Sequence, residues 1–276
     1  MTQTFTAAAV QMVSGSDVKT NLATAGRLIG QAAQAGARLV ALPENFALLG
    51  RREQDKLAVA EPDGAGPIQD FLADTACRHG IHLIGGTIPL RGADPQRVRA
   101  ACLLHGPDGQ RLARYDKIHL FDVDVGESAA GGERYRESAS IEPGQTVVTV
   151  NTELGCIGLA VCYDLRFPEL FRALQARGAQ ILVLPSAFTE TTGAAHWHLL
   201  CRARAVENLC YLVAPGQGGL HDNGRRTYGH SLIASPWGEV LAERIEMGEG
   251  TVCATIDLAA MERVRERFPA LQHRRL

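Results

Sequence analysis

The sequence predicts an α/β fold built from two similar halves whose sheets pack face to face. Three observations carry this. Apolar runs of strand length alternate with amphipathic stretches of helix length along the whole chain. One pattern occurs twice: residues 31–44 are QAAQAGARLVALPE and residues 173–186 are ALQARGAQILVLPS. Hydrophobic residues make up 46% of the 276, enough apolar mass for a large core. No Pro/Ser/Gly-rich linker divides the halves, so residues 1–276 are expected to form a single domain.

Taken in order, Thr6 to Met12 is the first strand. Asp17 is an N-cap for a helix of about 18 residues, with Leu22, Ala25, Leu28, Ile29 and Ala32 at helical spacing. Gly36 ends it, and Arg38 to Leu42 is a buried strand stopped by Pro43. A helix over Gly66 to His79 leads to the strand Ile81 to Gly85. Val98 to His105 and Arg111 to Tyr115 flank the turn Gly106-Pro107-Asp108-Gly109 as a hairpin. Residues 118–144 are expected to form a long loop.

The second half repeats the theme. Strands are expected at Val147 to Val150, Ile157 to Val161, Ile181 to Leu184 and Leu209 to Ala214. Helices are expected at Pro168 to Arg177 and Ala195 to Glu207. Tyr228 to Ala234, Val240 to Leu241 and Thr251 to Ile256 are strands around Pro236-Trp237-Gly238, and Met261 to Arg267 is a closing helix. The internal echo places Glu44 and Ser186 at equivalent strand ends.

A net charge of −2 excludes a broad basic surface for nucleic acid. Seven cysteines, an odd number with no C-x-x-C pair, argue against a disulfide framework or zinc ribbon and for a reducing compartment. Met1 to Phe5 carry no basic n-region, and no apolar run approaches the ~20 residues of a membrane span. A cytoplasmic enzyme without membrane partners is expected. Of 28 cationic residues only three are lysine: Lys19, Lys56 and Lys117. Each is worth attention, because arginine cannot replace a compact ammonium at a crowded site.

Three positions could carry chemistry. In Gly158-Leu159-Ala160-Val161-Cys162-Tyr163-Asp164 an apolar strand runs into a cysteine just ahead of a helix opened by Pro168. That is nucleophile-elbow geometry, with nearby amides expected to lower the thiol's pKa and to supply oxyanion donors. A small buried core cysteine is the alternative. Glu44 follows a buried strand, where burial is expected to raise its pKa and suit it as a general base; a solvated loop glutamate is the alternative. Lys117 follows the hairpin's second strand, where an ammonium could hold an oxyanion; a surface lysine is the alternative.

Glu, Lys and Cys thus each follow a strand, in that order. Around them stand L-P-E-N (42–45), Y-x-K-x-H-L-F-D (115–122), G-x-x-x-C-Y-D-x-R-F-P-E (158–169), P-S-A-F (185–188), T-G-x-A-H-W (192–197), Y-G-H-S (228–231) and P-W-G (236–238). With these strings the chain resembles, over essentially its whole length, the nitrilase (carbon–nitrogen hydrolase) superfamily and its Nit amidase branch. The resemblance implies a four-layer α-β-β-α sandwich and pairing through outer helices into homodimers or larger assemblies. It implies that Cys162 is the nucleophile and that Glu44 shuttles the proton. Lys117 and the Tyr163 backbone N–H would hold the oxyanion, and Glu137 would orient the site. The implied reaction is amide hydrolysis through a thioester, with no metal or cofactor.

Arg166 would grip a substrate carboxylate, or else pair with Asp164 or Glu169 at a helix end. Phe188 and Thr192 would line the pocket, with Trp197 either beside them or in the core. The stretch 217–231, with His221, Arg225 and Arg226, looks more like the deaminated glutathione amidases than the ω-amidases. It suits a doubly acidic substrate, the 2-oxoglutaryl amide of cysteinylglycine; a solvated hairpin is the alternative. An ω-amidase acting on 2-oxoglutaramate or succinamate is the second reading. A nitrile hydrolase fits the strings less well, and a non-catalytic partner-binding relative has no need of all four polar residues. Two departures stand out. Gly126 to Glu133 is a small extra stretch, which leaves the path of that loop around the pocket open. The chain also stops at Leu276, before the Pro-Asp-Leu-Tyr-like tail of relatives. Where that tail stabilises a dimer, a weaker assembly is expected here.

Overall fold

The computed structural model describes residues 4–125 and 133–275. The strands and helices run β1 Thr4–Gln11, α1 Val18–Gln34, β2 Ala37–Ala41, α2 Asp55–Ala58, α3 Pro67–His79, β3 His82–Ile84, β4 Ile88–Arg91, β5 Val98–His105, β6 Arg111–Asp116, β7 Asp122–Val125 and β8 Glu133–Arg136. The second half continues with β9 Thr149–Thr152, β10 Gly155–Leu159, α4 Pro168–Ala176, β11 Ile181–Val183, α5 Glu190–Asn208, β12 Tyr211–Ala214, β13 Gly218–Leu220, β14 Arg226–Tyr228, β15 Leu232–Ala234, β16 Val240–Glu243, β17 Gly250–Asp257 and α6 Leu258–Arg267.

Two large sheets form the interior. One has the order β17-β1-β2-β3-β5-β4, with β6 also paired to β5; the other has the order β16-β15-β12-β11-β10-β9. In each, three parallel strands (β1, β2, β3 or β10, β11, β12) are flanked by antiparallel ones. The repeated segment ends on the middle strand of each trio, so the echo in the sequence marks equivalent places.

Alternation of side chains builds the layers. Ala7, Ala9, Leu39, Ala41 and Ile84 face inward and join one apolar cluster with Leu159, Val161, Ile181 and Val183 of the second sheet. Their neighbours Ala8, Val10, Val40 and Leu83 face outward against Ala25, Leu28 and Ile29 of α1 and Leu72 and Ala76 of α3. On the far side, Leu170, Phe171 and Leu174 of α4 and Trp197, Cys201 and Ala205 of α5 cover the second sheet. The result is the α-β-β-α sandwich. Capping follows the sequence: Asp17 accepts from the Thr20 amide at 2.7 Å, and Gly80 closes α3 in the left-handed region.

Some expectations need correction. Residues 118–144 are not one loop, since β7 and β8 pair as a hairpin and 137–139 form a 3-10 turn. Residues 126–132 of the extra stretch lie outside the described residues. Helix α5 begins at Glu190, not Ala195, because the Thr189 side chain caps it at the Thr192 amide. Strand β12 starts at Tyr211 because Leu209 is the left-handed cap of α5. The expected strand 228–234 is broken: Gly229 and His230 have φ of 72° and 52°, so β14 pairs with β13 while β15 joins the large sheet. The short elements β4, β13 and α2 gave no clear sequence pattern. Among the described residues no helix is long and apolar enough to cross a membrane.

Candidate active site

Three strand ends converge between the sheets. After β2, the Leu42 amide donates to Ile84 O at 2.9 Å, and Pro43 turns the chain so that Glu44 leaves the sheet. A Cβ on Gly86 would lie 2.0 Å from Pro43 O, so only glycine leaves room for this turn. Gln217 Nε2 donates to Glu44 O at 3.0 Å and fixes its backbone from the other half. Lys117 follows β6 and is held on both sides: its amide donates to Ala100 O at 3.0 Å, and its carbonyl accepts from Gly144 N at 2.8 Å.

Cys162 sits past β10 with φ of 48°, a left-handed conformation rare for a residue with a side chain. Its amide donates to Pro185 O at 2.9 Å. Asp164, fully buried, holds the elbow. Its Oδ2 accepts from the Tyr115 hydroxyl at 2.7 Å and from the Val161 amide at 2.8 Å. Its Oδ1 accepts from the His119 amide at 3.1 Å and lies 2.6 Å from His119 Nδ1. The Y-D-K-I-H and C-Y-D strings therefore meet at one carboxylate.

Lys117 Nζ donates to Glu44 Oε1 at 2.8 Å and to the two oxygens of Glu137 at 2.9 and 2.8 Å. All three ammonium hydrogens are engaged. Glu137 is itself held by the Phe121 amide at 2.7 Å. Lys117 is 1% exposed, Glu44 4% and Cys162 7%. The Ala187 amide reaches Cys162 Sγ at 3.5 Å, and the Tyr163 amide makes no hydrogen bond among the described residues.

Electrostatics overturns two sequence expectations. Burial pushes the Glu44 carboxyl up, but the adjacent Lys117 ammonium and hydrogen bonds from Lys117 and Cys162 outweigh it, and the group lies below the usual range. The Cys162 thiol is raised, not lowered: burial and the Glu44 charge dominate over Lys117 and the Ala187 amide. For Lys117, burial is overcome by the Glu137 and Glu44 carboxylates, which raise it well above the ordinary value. At neutral pH the cluster is therefore a neutral thiol beside a carboxylate, with an ammonium fixed by two carboxylates.

These groups line a cavity of about 40 Å³ whose walls include Asn45, Glu53, Lys56, Phe121, Tyr135, Arg136, Phe188, Thr189, Thr192 and Arg225. Phe188 and Thr192 are thus where the sequence put them. Trp197 is buried behind Phe188 and donates to His230 O at 2.8 Å, so it packs in the core. Arg225 lines the wall: its Nη2 donates to Ala187 O at 2.9 Å, its guanidinium lies 5.1 Å from the Tyr135 ring centre, and its buried Nε has no hydrogen-bond partner among the described residues. Arg166 lies beside the pocket, between the rings of Tyr163 and Phe188, and contacts His196 at 3.3 Å. No ion pair joins it to Asp164 or Glu169, which removes the helix-end alternative.

Two candidates leave the substrate wall. Arg226 is exposed on β14, outside the lining. His221 is buried: Nδ1 donates to Ser14 O at 2.8 Å and Nε2 accepts from the Thr227 hydroxyl at 2.7 Å. It ties the β13–β14 hairpin to the first half. Sequence reasoning missed Glu53, Lys56 and Tyr135 on the wall, and Asp164 and Gln217 behind it. The Asp164 link was hinted at by two motif strings but needed their contact to be seen. Outside the pocket, His198, His230 and Glu243 form a group with ligand-type atoms, but His198 Nε2 and His230 Nδ1 both take Glu243 Oε1, at 2.7 and 2.6 Å, which bridges α5 to β16.

Comparison with known proteins adds to this geometry. A model for carbon–nitrogen hydrolases matches residues 6–266. The chain is similar to the deaminated glutathione amidase of Synechocystis sp., with 43% identity over 274 residues and 98% of both chains covered. It is also similar to the deaminated glutathione amidase of Homo sapiens, with 41% identity over 272 residues, 97% of this chain and 81% of the human protein. Among solved structures, Saccharomyces cerevisiae Nit3, a member of branch 10 of the nitrilase superfamily, superposes with a TM-score of 0.88. That match has 31% identity and covers 99% of this chain and 97% of the yeast protein.

Proposed function

The chain belongs to the carbon–nitrogen hydrolase family, and from that premise we propose that it is a thiol amidase cleaving deaminated glutathione to 2-oxoglutarate and cysteinylglycine. It is a hydrolase of carbon–nitrogen bonds other than peptide bonds. The observation that carries the finer reading is the buried contact of Lys117 with Glu44 and Glu137 beside the Cys162 thiol. Relatives named for this substrate support the choice of amide.

Cys162 Sγ attacks the amide carbon while its proton passes to Glu44. A neutral resting thiol makes this coupled transfer necessary, and the depressed Glu44 carboxyl is ready to accept. The oxyanion is held by the free Tyr163 amide and by the Lys117 ammonium, which turns one hydrogen from a carboxylate oxygen toward it. Glu44 then gives its proton to the leaving nitrogen and the C–N bond breaks, leaving a thioester. Water enters, Glu44 takes its proton, and collapse releases the acid and restores the thiol. Glu137 keeps Lys117 charged and aimed. Four cations and three carboxylates line the pocket, which suits an anionic substrate. Arg225 carries an unsatisfied donor for its carboxylate, and Arg166 flanks the entrance.

In this reading residues 1–276 act as one domain, in the cytoplasm, as a homodimer or larger assembly. Exposed Leu199 and Val206 on α5 and the exposed Trp237–Phe268 pair support an outer-helix interface. The test is single-turnover incubation with deaminated glutathione followed by mass spectrometry. An acyl adduct on Cys162, absent in Cys162→Ala, is expected. Much higher kcat/KM for 2-oxoglutaramate than for deaminated glutathione would instead make it an ω-amidase.

A further inference from the structure

Two of the chain's three lysines line this pocket, although arginine outnumbers lysine 25 to three. Lys117 is saturated by carboxylates. Lys56 is not. It is 9% exposed on α2, and Glu53 Oε2, at 2.7 Å, is its one hydrogen-bond partner among the described residues. An ammonium has three donors, and buried donors without acceptors are costly. Lys56 lines the same cavity as Cys162, with donors that Glu53 does not take.

The position tells which half of the substrate they meet. Glu44 must reach the leaving nitrogen to protonate it, so the amine half lies on the Glu44 side of Cys162. Lys56 lines the same pocket as Glu44 and Cys162. It also borders a small recess with Asn45 and Thr87, which hydrogen-bond to each other at 2.8 Å immediately after Glu44. The Ala187 amide meets the thiol and its carbonyl takes Arg225 Nη2, while the Arg225 charge also bears on Glu44 and Glu53. Glu53 is partly exposed, so it can hold Lys56 in place while leaving its inner donors free.

We propose that Lys56, positioned by Glu53, binds the carboxylate of the leaving amine half and so selects N-acyl peptide acids over simple primary amides. This rests on the amidase reading above. The experiment compares three substrates in wild type and Lys56→Gln: deaminated glutathione, its C-terminal glycinamide, and 2-oxoglutaramate. A charge-assisted hydrogen bond of this kind is worth about tenfold or more in kcat/KM. Wild type should therefore prefer the free acid over the glycinamide by about that factor, and Lys56→Gln should bring the ratio close to one through KM, with Lys56→Arg restoring only part of it. Wild type with no preference between acid and glycinamide overturns the proposal even if the variant does not fold. So does an unchanged ratio in a folded variant. If wild type cleaves 2-oxoglutaramate but neither peptide substrate, the deaminated glutathione assignment itself fails; if it cleaves both peptides equally, only the Lys56 role fails.

Discussion

The turns after β2 and β11 share a backbone and differ in everything else. Leu42 and Leu184 each donate to the next parallel strand at 2.9 Å, and each is followed by proline and a polar residue. Ser186 is buried and spends its hydroxyl on Leu184 O at 3.1 Å. Glu44, at the equivalent place, meets an ammonium and a thiol. One architecture thus yields a structural turn and a reactive one. The difference comes from what the opposite side supplies: the β5–β6 hairpin brings Lys117 to the first turn, while Ser186 meets only backbone and the Pro185 carbonyl serves the Cys162 amide.

Replacing the ammonium should separate the two turns most. Lys117→Met leaves buried Glu44 and half-buried Glu137 without a counter-charge, which should cost about 3–5 kcal/mol by denaturant unfolding. Lys117→Arg keeps the charge but brings a planar group into a space closed by two carboxylates. It should fold and lose on the order of 100-fold or more in kcat. Near-wild-type turnover in that variant would reduce Lys117 to a structural counter-ion.

Gly86→Ala breaks the reactive turn from behind. The new methyl would lie 2.0 Å from Pro43 O at a φ of 45°, so a loss of about 2–4 kcal/mol is expected, with kcat falling as Glu44 shifts. A melting temperature equal to wild type would show that the turn is not constrained there.

The pH profile tests the charge state. Glu44 is depressed, so its contribution to stability is complete above the ordinary carboxyl value and is lost as pH falls through its lower folded value. Lys117 is raised, so its contribution is complete below the ordinary lysine value and is lost as pH rises through its higher folded value. Neither group changes between about pH 6 and pH 9. Both kcat/KM and the urea midpoint should therefore be free of steps from Glu44 and Lys117 in that window. An acid limb centred near pH 6 would mean that burial, not Lys117, governs Glu44.

The smallest effect belongs to the structural turn. Ser186→Ala should cost no more than about 1 kcal/mol and leave turnover intact, since its hydroxyl serves only its own backbone. A large loss of kcat there would show that the two turns are chemically coupled.

Much of this was legible beforehand. Strand and helix order, the Asp17 cap and the echo are local consequences of spacing and capping, and Glu44, Lys117 and Cys162 stand out because each ends a strand. The substrate wall was less so. His221 and Arg226 share a basic stretch with Arg225, but sequence proximity cannot say which side chain a twisting hairpin turns inward; His221 is taken by Ser14 and Thr227, and Arg226 by solvent.

By itself the sequence determined the order of strands and helices, the two similar halves and the three strand ends, because periodicity and turn chemistry act over a few residues. Only the tertiary structure decided the charge states and the partners. The sign of the Glu44 shift depends on a cation 73 positions away along the chain, and that of the Cys162 shift on burial and the Glu44 charge. Electrostatic terms follow distance and burial, not sequence order, and both are set when the two sheets close on each other.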